Sequence, residues 1–118
     1  MNSDKLICSG SSDFVKISFL NGIVLMNGYR LQRKNDKYKM KGWDIFGETM
    51  DGTELLISSY IDHDKTSNPI ILSEKIINKK WIKSIIINRT RTNWDSTTFL
   101  HFISLDIFGT YIQTNFNN

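Results

Sequence analysis

The sequence predicts an all-β fold: an antiparallel sandwich or barrel of about seven or eight short strands. Three observations carry this. No alanine occurs in the 118 residues, although alanine has the best helix propensity. Ile, Thr, Val, Phe, Tyr and Trp dominate instead, and they suit a pleated surface. The run Thr98–Phe108, closed by Gly109, cannot form a helix with a polar face. On a strand Leu100 and Phe102 point one way and Leu105 and Ile107 the other. Either both of its faces are buried, or its phase shifts near Ile103–Ser104 through a bulge. The expectation is a strand in the middle of the structure, closing a sandwich, with the rest of the chain as covering layers.

The other elements follow in order. Phe14–Leu20 alternates at Val15, Ile17 and Phe19. Asn21-Gly22 is a strong hairpin signal, because both residues accept positive φ. Ile23–Met26 is strand, Asn27-Gly28 a second turn, bulge or kink, and Tyr29–Gln32 is extended again. Arg33–Lys41 is a basic loop. Trp43–Glu48 and Glu54–Ile61 are strands joined by a tight turn at Asp51-Gly52. Asp62–Pro69 is loop. Ile70–Leu72 and Ile76–Ile77 flank a polar step. Trp81–Ile87 is a strand covered on both faces, and Asn88–Thr97 is a polar loop that delivers the last strand. Gln113–Asn118 reads as frayed. Trp43 and Trp81 are expected in the core.

Length and composition bound the functional classes. The 118 residues, with 40% hydrophobic and 23% charged content, make one globular domain, residues 1–118, large enough for a core. No apolar run approaches the ~18 residues of a membrane-spanning helix. Met1–Lys5 is polar and only Leu6-Ile7-Cys8 follows, which is not a secretory signal. The single cysteine cannot form an internal disulfide. A cytoplasmic protein is expected. The net charge of +3 is mild for a nucleic-acid binder. Its distribution is uneven: Arg33, Lys34, Lys37, Lys39 and Lys41 cluster, while Gly42–Asp64 holds acids and no Lys or Arg.

N-G-I-V-L-M-N-G-Y-R-L (21–31), a polar loop, M-K-G-W-D-I-F-G (40–47) and D-G (51–52), in that order, resemble the tyrosine-bearing strand, the tryptophan strand and the turn after it in the F5/8 type C (discoidin) domain family. W-I-K-S-I-I-I-N-R-T-R-T-N (81–93) and F-L-H-F-I-S-L-D-I-F-G-T (99–110) match its last two strands, with Asp106 as the acid of the closing motif. The match covers about residues 13–112. A family tryptophan appears here as Leu55 and a loop glycine as Arg91. Only Met1–Asp13 precede the match, where the family has a further strand and loops. The resemblance implies a galactose-binding-like jelly-roll β-sandwich that binds glycans, lipid head groups or proteins through loops at one end. A missing N-terminal strand implies an exposed sheet edge, open to a second copy or a docked partner strand.

Catalytic and metal chemistry finds little support. Cys8 has no nucleophile context. His101 reads as a structural strand residue. Asp62-His63-Asp64 lacks the glycine and distal glutamate of a calcium loop. No phosphate-cradling glycine loop is present. No enzyme, cofactor or metal is expected. Alternation of strand direction places Arg33–Lys41, Asp62–Pro69 and Asn88–Thr97 at one end, and Asn21-Gly22, Asp51-Gly52 and Asn78–Lys80 at the other. The first end gathers Arg33, Lys34, His63, Asp64, Arg89, Arg91, Asn93 and Trp94, the candidate ligand or partner contacts. Trp94 either plugs the sandwich end or is an exposed anchor. The leading expectation is a non-catalytic module for protein–protein interaction, within a multi-subunit assembly. The alternative is a carbohydrate-binding module using Trp94 beside Arg91, Asn93 and Asp95. Nucleic-acid binding through the basic loops ranks third.

Overall fold

The alternating runs form strands, and the strands divide between two antiparallel sheets. The computed structural model describes residues 6–10, 13–33, 39–62, 70–73, 75–91, 93–94, 97–98 and 100–114. Within them lie nine strands: β1 (Leu6–Gly10), β2 (Phe14–Phe19), β3 (Gly22–Gln32), β4 (Gly42–Glu48), β5 (Glu54–Ile61), β6 (Ile70–Ser73), β7 (Trp81–Ile82), β8 (Ser84–Arg89) and β9 (Ser104–Gln113). One sheet has the order β1-β2-β8-β4-β5. In the other, β3 carries β6 and β7 along one edge and β9 along the opposite edge.

Period-two alternation builds the core between the sheets. β3 supplies Val24, Met26, Tyr29 and Leu31; β4 supplies Trp43 and Ile45; Ile57, Ile71, Ile82, Ile85 and Ile87 complete the layer. The step from Met26 to Tyr29 breaks a strict alternation. The register of β3 against β9 shifts between Met26 and Gly28, so Asn27 is the extra residue of a bulge. Burying side chains of this size contributes roughly 1.5–3 kcal/mol each before chain entropy opposes it. Trp43 donates its Nε1–H to the Tyr29 hydroxyl at 3.2 Å, which satisfies the buried indole. Its ring stacks on Tyr60 with centroids 4.6 Å apart.

Several expectations are corrected. Asn21-Gly22 is a turn, with Asn21 at φ 56°, but it joins no hairpin. β2 and β3 belong to different sheets, so the turn carries the chain across the sandwich. Asp51-Gly52 does close a hairpin, β4 to β5, with Gly52 at φ 88° and the Asp51 carboxylate accepting from Thr49 Oγ1 and the Thr53 N–H. Trp81–Ile87 is not one strand. A bend at Lys83 separates β7 in one sheet from β8 in the other, and Trp81 is only partly buried. Ile77, beyond the polar step, donates its amide to Ile57 O and lies exposed beside β5. His101 precedes the last strand rather than lying in it. Gln113 is still part of β9, and residues 115–118 lie outside the described residues.

The closing run differs most from expectation. Its strand begins only at Ser104, and β9 is an edge strand, half-buried at its start and exposed from Phe108 on. Ile103 donates its amide to Gln32 O at 2.7 Å, and Ser104 partners the same residue. Two residues facing one is the count of a bulge. It reverses the phase, so Leu100 and Phe102 before it and Leu105 and Ile107 after it all pack against the core.

Candidate functional site at one end of the sandwich

The ends of β3, β5 and β8 and the starts of their loops meet at one end, as strand alternation predicts. A buried carboxylate ties them together. Asp62, just after β5, accepts at Oδ2 from Arg33 Nη1 at 3.0 Å and from Trp94 Nε1 at 3.2 Å. The Asp62 amide donates to Lys41 O at 2.7 Å. Arg33, just after β3, also donates to Met40 O at 2.9 Å, and its guanidinium lies 5.9 Å from the Trp43 ring centroid. The Arg33 and Asp62 side chains are 0% and 3% exposed. An ion pair so enclosed contributes less through its own attraction than through the cost of breaking it.

Trp94 resolves into neither of the two expected roles. It is half-buried, and it is fixed twice: Nε1 on Asp62, and its backbone amide on Lys39 O at 3.1 Å. Lys41 Nζ sits 4.6 Å from its ring centroid, a cation–π contact. The segment holding Arg91 crosses β4 at Gly42, which is buried. Thr90 donates its amide to Gly42 O, and a Cβ at Gly42 would meet Thr90 Oγ1 at 3.0 Å and Arg91 Cγ at 3.4 Å. The missing side chain therefore lets Arg91 pack against β4 at Gly42. Burial, then the negative charge of Asp62, hold the Tyr60 phenol above its ordinary value of 10.0.

The expected contacts separate into two groups. Arg33 and Asn93 are buried and serve the framework; Asn93 bonds Thr97 through its amide N–H and through Nδ2. Arg89 is half-buried, donating to Arg91 O at 2.9 Å and to Asp13 at 2.5 Å. Trp94 and the exposed Arg91 reach the surface. Lys34, His63, Asp64 and Asp95 lie outside the described residues. Sequence reading missed Asp62 as the organising group and Lys41 as the partner of Trp94. An acid flanked by a loop looks solvated in one dimension, and nothing in its neighbours signals a guanidinium 29 positions away. Among the described residues, neither Lys41 nor Arg91 has a carboxylate partner within 4 Å, so this end presents net positive charge.

No protein-family model matches the chain, and no curated protein matches it. Solved structures do. The family 32 carbohydrate-binding module of Streptococcus pneumoniae EndoD aligns with a TM-score of 0.64 and 9% identity over 89% of this chain and 75% of that one. The family 32 module of Clostridium perfringens NanJ, solved with galactose, aligns with a TM-score of 0.61 and 10% identity over 88% and 69%. The family 32 module of AlyQ, solved with 4,5-unsaturated mannuronic acid, aligns with a TM-score of 0.60 and 15% identity over 91% and 79%. The chain spans smaller shares of larger proteins: 36% of a two-domain Bacteroides fragilis protein and 19% of a glycoside hydrolase 29 family member from a rumen bacterium. At such identities the likeness concerns architecture, and function has to be argued from the site. The chain has the jelly-roll β-sandwich fold of these family 32 carbohydrate-binding modules.

Proposed function

We propose that this chain is a non-catalytic carbohydrate-binding module that takes an acidic sugar at the Trp94 end. The observation that carries the reading is the anchored indole. Trp94 is fixed at its N–H by Asp62 while part of its ring stays accessible, and two cations, Lys41 and Arg91, lie at the same end without carboxylate partners among the described residues. An immobilised aromatic surface offers the apolar C–H face of a pyranose a contact that costs little ordering. The cations add charge-assisted donors for carboxylate or sulfate oxygens. The shared fold with modules solved with galactose and with an unsaturated mannuronic acid supports the class of ligand. This reading ranks carbohydrate above the protein partner that the sequence favoured.

Calorimetric titration with galactose and with mannuronate oligosaccharides tests it. The uronate binds, and Arg91→Ala weakens it selectively by roughly tenfold, the scale of one charge-assisted contact. Trp94→Ala abolishes binding of both sugars, while Trp94→Phe, which keeps a ring, retains part of it. A protein that binds neither sugar, or binds them equally well after Trp94→Ala, refutes the proposal.

A further inference from the structure

The two sheets are unequal in width. One has five strands abreast; the other has three ranks, β9, β3 and the β6/β7 pair in line. Ile82 of β7 lies against β4 and β5 at Gly47 and Ile57, so the β6/β7 side stands over the β5 end. At the other side, β9 stands over β2 and β8. Beyond β2 the first sheet continues as β1, and among the described residues the second sheet has no strand beyond β9. A groove of about 500 Å³ opens there, lined by Ile17, Phe19, Ile85, Leu105, Ile107 and Phe108 and by the ion pair of Arg30 with Asp106.

The wall of this groove is a strand edge. β9 pairs with β3 alone, and among the described residues its outer edge meets no other strand. Thr114 donates its amide to Asn21 O, so counting back by twos turns the amides of Tyr111, Gly109, Ile107 and Leu105 away from β3. Proteins usually blunt such an edge with lysine, proline or inward charge. β9 has no lysine or proline, and its one charge, Asp106, is taken by Arg30 at 2.6 Å. Phe108, Tyr111 and Ile112 are exposed along it.

We propose that this groove binds an extended segment of another polypeptide, which adds as a fourth rank beside β9 and sets alternate apolar side chains on Ile17 and Phe19. Two features select this occupant. The free backbone edge calls for a strand, since a helix cannot satisfy it. The overhang of β1 calls for something one layer thick. Two copies pairing through β9 would drive the first sheet of each into the space held by β1 and β2 of the other, at the ~10 Å spacing of packed sheets. A single strand fits where a second sandwich does not. This site lies on the flank of the sandwich, away from Trp94, and stands independently of the carbohydrate reading.

The test is selection of random decapeptides on the immobilised full chain, followed by hydrogen exchange. Enriched peptides alternate apolar and polar residues, and their binding slows exchange at Leu105 and Ile107. Ile107→Pro, which removes one outward amide, weakens binding at least tenfold relative to Ile107→Ala, which keeps it. Proline is tolerated on an edge strand at such a position, and thermal melting checks that both variants fold. N-methylation of the selected peptide gives a readout free of any folding defect: methyls on one set of alternate residues abolish binding, and on the other set leave it intact. The proposal is overturned if no alternating pattern is enriched, if helical i, i+3, i+4 patterns are enriched, if exchange along β9 is unchanged, if both methylated sets bind alike, or if the chain dimerises through β9 in sedimentation.

Discussion

Asp62→Ala is the substitution that most directly tests how the loop end is held. It removes one carboxylate that serves two donors, Arg33 at 3.0 Å and Trp94 at 3.2 Å. The guanidinium is fully buried and the acid 3% exposed, so solvent screening offers little relief. Removing one member of such a pair costs about 3–5 kcal/mol, because the remaining charge stays in a poor solvent. Loss of the acceptor for the half-buried indole N–H adds about 1 kcal/mol. A domain of this size is stable by about 5–15 kcal/mol in total, so the change removes a large share. At roughly 4 °C per kcal/mol, the melting temperature falls by about 16–24 °C. The control is the pair Arg33→Met with Asp62→Leu, which replaces the ions by apolar groups and should recover most of the loss. Urea unfolding of the wild type, both single variants and the double variant supplies the cycle. A loss below about 1 kcal/mol for Asp62→Ala, or a double variant no better than Asp62→Ala alone, refutes the clamp.

Two further expectations follow from packing and charge. Gly109 is exposed, yet a Cβ there would collide with Leu25 O and sit 3.0 Å from Met26 Cα, both backbone atoms. Gly109→Ala should therefore cost about 1–3 kcal/mol in urea unfolding. Gly22→Ala, whose Cβ would meet the ring of Tyr111 rather than backbone, should cost less because a side chain can turn aside, and an equal cost would show that Tyr111 cannot move. Glu48 is held below its ordinary value of 4.5, first by the hydrogen bond from the Lys16 ammonium. A depressed carboxylate contributes stability above about pH 4.5 and loses it as the pH falls through the lowered value. With side chains 31% and 16% exposed, the pair contributes about 0.5–1 kcal/mol. Wild type and Glu48→Gln should differ by that amount at pH 7 and converge near pH 2; a constant difference across that range would exclude the linkage.

Much of the local structure was legible in the chain. Alternation in Phe14–Leu20, Trp43–Glu48 and Glu54–Ile61 located β2, β4 and β5 within a residue or so, because one buried face imposes a period of two on each strand. The bulge near Ile103–Ser104 was legible for the same reason: Leu100 and Phe102 are out of phase with Leu105 and Ile107. The candidate site was half legible. Counting strand directions brought Arg33, Arg89, Arg91 and Trp94 to one end, but Arg33 turned out to be internal, and Asp62, which joins it to Trp94, went unnoticed.

By itself the sequence determined which segments are extended, where the chain turns, and which end carries the long loops. These depend on neighbours a few residues apart: alternation, Asn-Gly and Asp-Gly turn chemistry, and the absence of alanine. Only the tertiary structure decided which strands pair. Asn21-Gly22 reads as a hairpin, but its turn leads from one sheet to the other, and Lys83 breaks a continuous-looking strand into pieces of two sheets. It also decided that β9, apolar on both sides in the sequence, lies at an edge. Apolar composition is the same whether a strand is covered by its own chain or left for another to cover; the number of strands in the facing sheet makes the difference.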